Sequence, residues 1–221
     1  MDLKLAIFDV DGTLVDSQHL IVAAMQAACE GEGVAAPARQ ALLSGVGLSL
    51  PQLVPGLFPA LEAEAHAAIV SGYKHHYARL RAEGGEAQVT PLYSGALEAL
   101  KALHAQDEIL LGVATGKSRR GLEFILDSFD LRRLFVTTQV ADDHPSKPHP
   151  SMIFTALAET GVAPENAVMI GDTSYDMDMA RAAGVRAIGV SWGYHDTARL
   201  QAAGAQAVVD NFDALQQKLW S

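Results

Sequence analysis

The stretch "LKLAIFDVDGTLVDS", residues 3–17, runs from an apolar segment straight into Asp9, Asp11 and Asp16. Aspartate is a poor strand former, and burying a carboxylate without compensation is costly. An apolar strand that ends in two carboxylates two residues apart points to a bound cation, to chemistry on one carboxylate, or to both. Further apolar runs, rich in branched residues, recur at 109–114 ("ILLGVA"), 134–138 ("LFVTT"), 167–171 ("AVMIG"), 187–192 ("AIGVSW") and 207–210 ("AVVD"). Runs that are apolar on both faces fit strands of a parallel sheet covered by helices. Helical patterns lie between them. One spans 94–106 with Ser94 as its N-cap, a second runs over 151–160 to Gly161, and a third over 173–183 to Gly184. This alternation predicts an α/β fold with a doubly wound parallel, Rossmann-like sheet.

One stretch breaks the rhythm. Residues 16–87 hold only Ala- and Leu-rich helical patterns, separated by "GEGVAAP", "SGVGLSLP" and the glycine-rich "EGGE" at 83–86. A crossover between parallel strands needs little more than about a dozen residues. The surplus predicts a helical cap domain at 16–87, inserted into a catalytic core formed by 1–15 and 88–221. Flexing near 14–17 and 84–92 would open the cleft between them.

The composition excludes several classes of partner. The chain has 221 residues, 49% hydrophobic and 19% charged, which is ordinary for a globular protein with a packed interior. Its formal net charge of −10 argues against nucleic acid or an anionic membrane as partner, since both need a basic face. Cys29 is the single cysteine, so no intrachain disulfide forms and a reducing compartment is expected. The first apolar run is too short for a signal peptide and meets Asp9 at once; the expectation is a cytoplasmic protein, monomer or homodimer.

In an open parallel sheet, ligands bind at the carboxyl ends of the strands. The residues at those ends are Asp9, Asp11, Gly12 and Thr13, then Thr115, Gly116 and Lys117, then Lys147 in "SKPHP", and finally Asp172, Thr173 and Asp176. Four strand ends deliver carboxylates, a hydroxyl and a lysine to one edge. Each residue also has a plain structural reading. Asp9 and Asp11 could make an Asx turn, and Thr173-x-x-Asp176 has the form of a capping box. Lys117 reads as a solvated loop lysine, His75 and His76 as surface residues, and Met177 and Met179 as helix packing.

Taken in order, "DVDGT", "ATGK", "KPHP" and "GDTSYD" resemble the motifs of the haloacid dehalogenase-like superfamily, and the likeness runs over essentially the whole chain. At roughly 5–7% per residue type, D-x-D-G-T arises about once in 10⁵ positions by chance. The resemblance implies phosphate-ester chemistry assisted by Mg²⁺. Asp9 would be the nucleophile and Asp11 the acid–base group. Thr115 and Lys147 would act on the transferring phosphoryl group, with Gly12 and Gly116 contributing to the phosphate site. Asp9, Asp172 and the backbone carbonyl of Asp11 would hold the metal, and Asp176 would orient Lys147 or a metal-bound water. The helical insert is similar to the C1-type cap of the phosphoglycolate phosphatase-like branch, which implies a small-molecule phosphate ester as substrate. A sugar-phosphate mutase of the β-phosphoglucomutase type shares the same core residues. A regulatory protein on a silent core would show damaged motifs. In the cap, the uncharged "SGVGLSLP" offers the Ser49 side chain for hydrogen bonding, and Arg39, Lys74, Arg79 or Arg81 could add charge.

Overall fold

A computed structural model describes residues 2–84 and 90–220. Six strands form one parallel sheet: β1 (Lys4–Phe8), β2 (Ile109–Thr115), β3 (Phe135–Val140), β4 (Ala167–Gly171), β5 (Arg186–Val190) and β6 (Ala207–Val209). All six correspond to apolar runs of the sequence, with ends shifted by a residue or two, as strand ends commonly are. Their order is β3-β2-β1-β4-β5-β6. The chain winds outward from β1 through β2 to β3, then returns to place β4 on the other side of β1. The winding therefore reverses between β1 and β4, where Phe8 lies beside Ile170 in register. Adjacent loops part at such a switch point and leave a crevice.

Alternation along β1 explains why both faces are covered. Ala6 and Phe8 enter one apolar cluster while Leu5 and Ile7 enter another. Besides the insert helices numbered below, α5 (Ala96–His104), α6 (Arg119–Ser128) and α10 (Phe212–Lys218) cover the first face. The second is covered by α7 (Ser151–Thr160), α8 (Ser174–Ala182) and α9 (Thr197–Ala202). Met177 and Met179 are fully buried in that second cluster, in keeping with the reading of them as helix packing. Gly161, at φ 70°, ends α7 in the left-handed region, as expected of a C-terminal glycine. The start of α5 corrects the sequence reading. Ser94 makes no capping bond there; Gly95 precedes the helix at φ 85°, a turn that a side-chain-bearing residue rarely adopts.

Among the described residues the inserted stretch holds four helices joined by loops and no strand: α1 (Gln18–Gly31), α2 (Arg39–Leu43), α3 (Leu50–Leu57) and α4 (Ala63–Gly84). It has an apolar core of its own, built from Leu20, Ile21, Met25, Val54 and Ile69 among others. Its two connections to the sheet run side by side, since Val15 bridges Leu92 in antiparallel sense and Tyr93 N–H donates to the Leu14 carbonyl. Part of the glycine-rich separator, the 87/88 boundary and part of the 84–92 hinge lie outside the described residues. No described helix is long and apolar enough to cross a membrane.

Candidate active site

The loop after β1 carries the centre of the site. Asp9 is 1% exposed. Asp9, Asp172 and Asp176 can each present a carboxylate oxygen within 4.8 Å of the others. Lys147 reaches this group from the loop after β3. Its Nζ stands 2.6 Å from Asp176 Oδ1 and 3.0 Å from Asp9 Oδ1, and its side chain has no exposure. Asp176 is committed elsewhere as well, because its Oδ2 accepts from the Thr173 N–H at 3.0 Å and the Thr173 hydroxyl at 2.7 Å. The capping reading and the orienting reading of Asp176 are thus the same arrangement: one oxygen starts α8 and the other holds Lys147.

Asp172 is steadied on both oxygens. Thr13 Oγ1 donates to Oδ1 at 2.9 Å and Tyr194 N–H to Oδ2 at 2.8 Å. Gly12 makes this closeness workable: at φ 81°, a Cβ there would lie 2.2 Å from Asp172 Oδ2. Asp9 differs. Lys147 is its ionic neighbour, yet among the described residues neither Asp9 oxygen accepts a well-formed side-chain hydrogen bond. Burial pushes the Asp9 pKa up to about 7, against the pull of Lys147. Burial also raises Asp172, and the neighbouring charges of Asp9 and Asp176 raise it further. Burial opposes the Lys147 ammonium, but Asp176 and Asp9 outweigh it and raise its pKa.

Three carboxylates share one ammonium here, so the full ionisation of all three leaves a buried surplus of negative charge. Oxygen donors, an under-satisfied carboxylate and that surplus fit a small hard dication such as Mg²⁺. Asp9, whose oxygens accept no well-formed side-chain hydrogen bond among the described residues, and Asp172, which accepts one on each oxygen, keep lone pairs that could hold it. Asp176 instead gives one oxygen to Lys147 and the other to two donors of Thr173.

Asp11 lies apart from this cluster, and here a sequence reading fails. Lys117 is not a solvated lysine. Its Nζ donates to Asp11 Oδ1 at 2.7 Å and Oδ2 at 2.9 Å, and its side chain is 7% exposed. Burial works against the Lys117 ammonium, but the Asp11 charge outweighs it and raises its pKa. Tyr77 of α4 accepts a further hydrogen bond from Lys117 at 3.1 Å. The Ser17 hydroxyl donates to Asp11 Oδ1 and lies 3.1 Å from the Tyr194 hydroxyl.

A cavity of about 570 Å³ opens over this edge of the sheet. Asp9, Asp11, Thr115, Gly116 and Lys117 line it from the sheet side; Ser49, Tyr73, Lys74, Tyr77 and Arg81 line it from the insert. The other two candidate phosphate-site residues, Gly12 and Lys147, do not line it, and neither do Asp172 and Asp176. Thr115 Oγ1 accepts from the Lys117 N–H at 3.3 Å. The insert comes close at Gly116, where a Cβ would stand 2.6 Å from the Gly47 carbonyl oxygen. Of the four Lys and Arg residues of the insert, Lys74 and Arg81 line the cavity. Arg39 instead donates to Gln18, and Arg79 pairs with Glu83 on the exposed side of α4. His75 is exposed but His76 is half-buried, its Nδ1 shielded from solvent, so the surface reading holds for His75 alone; neither belongs to a three-residue ligand group among the described residues.

Sequence reasoning missed Tyr77, Tyr194 and His195. His195 is buried, accepts from the Ser174 N–H at 2.8 Å on Nδ1, and meets the Ser44 carbonyl of the insert at 2.9 Å with Nε2. A carbonyl can only accept, so Nε2 carries the proton. Tyr77 was detectable, because Tyr73, Tyr77 and Arg81 recur at a spacing of four and share one face of a helix. Nothing in the sequence placed Tyr194, which acts on Asp172 through its backbone.

Residues 6–190 match the family model described as "Haloacid dehalogenase-like hydrolase". The chain is 35% identical over 210 residues to the protein named "Probable phosphatase IndB" of Dickeya dadantii strain 3937, covering 94% of this chain and 90% of that one. It is 30% identical over 214 residues to a phosphoglycolate phosphatase of Pseudomonas fluorescens Pf-5, covering 96% and 78% respectively. A crystal structure of a hydrolase from Pseudomonas syringae superposes with a TM-score of 0.85 at 25% identity, over 98% of this chain and 97% of that one.

Proposed function

The chain belongs to the haloacid dehalogenase-like hydrolases and is a phosphatase; from that premise we propose that it hydrolyses a small-molecule phosphate monoester through a phosphorylated Asp9. The observation that carries this reading is Asp9 itself: a buried carboxylate at the switch point, beside an ammonium, facing a cavity, with no well-formed side-chain hydrogen bond to occupy its oxygens. A buried aspartate that served only the fold would be expected to have its oxygens hydrogen-bonded.

One Asp9 oxygen attacks phosphorus as the ester P–O bond breaks. The departing oxygen takes a proton from Asp11, which lies two residues on and lines the same cavity. In the second half, Asp11 takes a proton from water as the water oxygen attacks phosphorus. The Asp9–phosphorus bond then breaks, returning the carboxylate and inorganic phosphate. Bound Mg²⁺, held by Asp9, Asp172 and the Asp11 carbonyl, would supply positive charge that lets an anionic nucleophile approach an anionic ester. Lys147 offsets charge on Asp9, and Asp176 keeps Lys147 aimed there. Thr115 and the backbone at Gly12 and Gly116 would hold phosphoryl oxygens.

The helical insert, as a cap domain over 16–87, would admit substrate by opening about the paired connections at Val15 and Leu92. Relatives named phosphoglycolate phosphatase make 2-phosphoglycolate the first ester to assay. Mg²⁺-dependent phosphate release from it and from p-nitrophenyl phosphate, abolished by EDTA, is the expected result. Release that EDTA leaves untouched would remove the metal. No release from a panel of phosphorylated metabolites, or conversion of a hexose phosphate to its isomer without free phosphate, would overturn the reading.

A further inference from the structure

Lys117 and Asp11 meet in a way that general charge balance does not require. An ammonium has three protons to donate. Lys117 gives two of them to the two oxygens of Asp11 and a third to the Tyr77 hydroxyl. The ammonium also lies 5.1 Å from the centre of the Tyr77 ring. With its donors used in this way, Lys117 has none to offer a phosphoryl group unless it leaves Asp11. A phosphate-binding role, the obvious assignment for a lysine on this loop, therefore suits it poorly.

A two-point grip suits a different task. Asp11 sits on a loop, where its carboxyl group could turn about its own side-chain bonds. A proton carrier must come within hydrogen-bond reach of the ester oxygen, so its orientation decides its efficiency. Lys117 holds both oxygens at once, and Ser17 donates to one of them as well. The grip survives a proton on either oxygen, because the other still accepts.

We propose that Lys117 is a positioning residue that fixes the aim of Asp11 at the leaving oxygen, and that Tyr77 fixes Lys117 in turn. Because Tyr77 belongs to α4, that aim is complete only where the insert packs over the sheet edge. The inference rests on the reading of Asp11 as proton carrier.

Two esters separate this role from others. The p-nitrophenolate group departs without protonation at neutral pH. Phenolate, with the proton affinity of a tyrosine side chain and a pKa of about 10, needs the proton far more. Values of kcat/KM for p-nitrophenyl phosphate and phenyl phosphate would be measured with saturating Mg²⁺ for Lys117→Met, Lys117→Arg, Tyr77→Phe and Asp11→Asn, alongside melting curves. Lys117→Met should lose about tenfold more on phenyl phosphate than on p-nitrophenyl phosphate, and Lys117→Arg should recover most of that difference. Tyr77→Phe should shift the ratio in the same direction by about threefold. Asp11→Asn should show the largest ratio. Equal losses on both esters in Lys117→Met, with the ratio still large in Asp11→Asn, would overturn the proposal and leave Asp11 as proton carrier. Equal losses in Asp11→Asn would overturn the reading of Asp11 and this inference with it. Should Lys117→Met not fold, the ratio in Tyr77→Phe decides: an unchanged ratio there overturns the proposal.

Discussion

Asp9 and Asp11 stand two residues apart on one loop and each faces a lysine, yet the two pairs are built differently. At Asp9, one ammonium serves three buried carboxylates, and Asp9 is left with oxygens that no side chain properly engages. At Asp11, one ammonium serves one carboxylate and grips both of its oxygens. The first arrangement is short of positive charge and so prepared for a cation and an electrophile. The second is balanced and oriented. On the proposed function, two aspartates with the same chemistry would be divided into nucleophile and proton carrier by what surrounds them, as paired carboxylates in other active sites are separated by environment.

The sharpest way to break this contrast is Asp9→Asn. The amide is nearly isosteric but cannot attack phosphorus, so turnover should drop by about 10⁴-fold or more while far-UV circular dichroism stays unchanged. Substantial residual phosphate release would remove Asp9 as nucleophile and erase the distinction between the pairs.

Lys147→Met comes next. It leaves Asp9, Asp172 and Asp176 without their ammonium in a fully buried place. Unfolding in urea should show a loss of about 3–5 kcal/mol, the usual consequence of stripping one partner from a buried ion pair. The same substitution at Lys117 should cost less, about 1–3 kcal/mol, because it strands one carboxylate rather than three and Asp11 keeps the hydrogen bond from Ser17. Equal losses at the two lysines would contradict the difference in charge balance.

The pH dependence of stability sharpens the comparison. Asp9 has a pKa raised from 3.8 to about 7 by burial. In the folded protein it therefore binds a proton that the unfolded chain has released between those values. Without metal, stability should fall as pH rises from about 4 to about 7 and then level off with respect to this group. Mg²⁺ should restore the lost stability most at the upper end, where Asp9 is ionised. Melting temperatures across that range, with EDTA and with Mg²⁺, check this. A profile that rises with pH in the metal-free protein would show that Asp9 is better satisfied than its surroundings indicate.

The smallest expected effect lies at the contact between sheet and insert. A Cβ at Gly116 would press on the Gly47 carbonyl oxygen. Gly116→Ala should raise KM for p-nitrophenyl phosphate by about threefold with a modest change in kcat, by holding the insert slightly off the sheet. An unchanged KM would say that this approach does not shape the cavity.

Much of the fold was legible because a parallel strand covered on both faces must be apolar throughout, and such runs stand out. The residues around Asp9 were legible for a related reason: they sit at strand ends, where a polar residue after an apolar run has few structural uses. Lys117 shows where that logic stops. Its neighbours Thr115 and Gly116 marked a strand end, but the partner that buries it, Tyr77, lies 40 positions earlier on a helix of the insert. The sequence shows that α4 has a face carrying Tyr73, Tyr77 and Arg81; it does not show which part of the sheet that face meets. Ser94 was misjudged because a local capping rule yielded to a left-handed turn at Gly95.

The order of strands and helices, the helical character of the insert and the set of acidic and basic residues at the sheet edge were determined by the sequence alone. They follow from periodicity and from where polar residues interrupt apolar runs, which are properties of neighbouring positions. That Lys117 faces Asp11 was decided only by the tertiary structure. Ion pairing depends on distance, direction and burial, and these are set by elements that pack together from far apart in the chain.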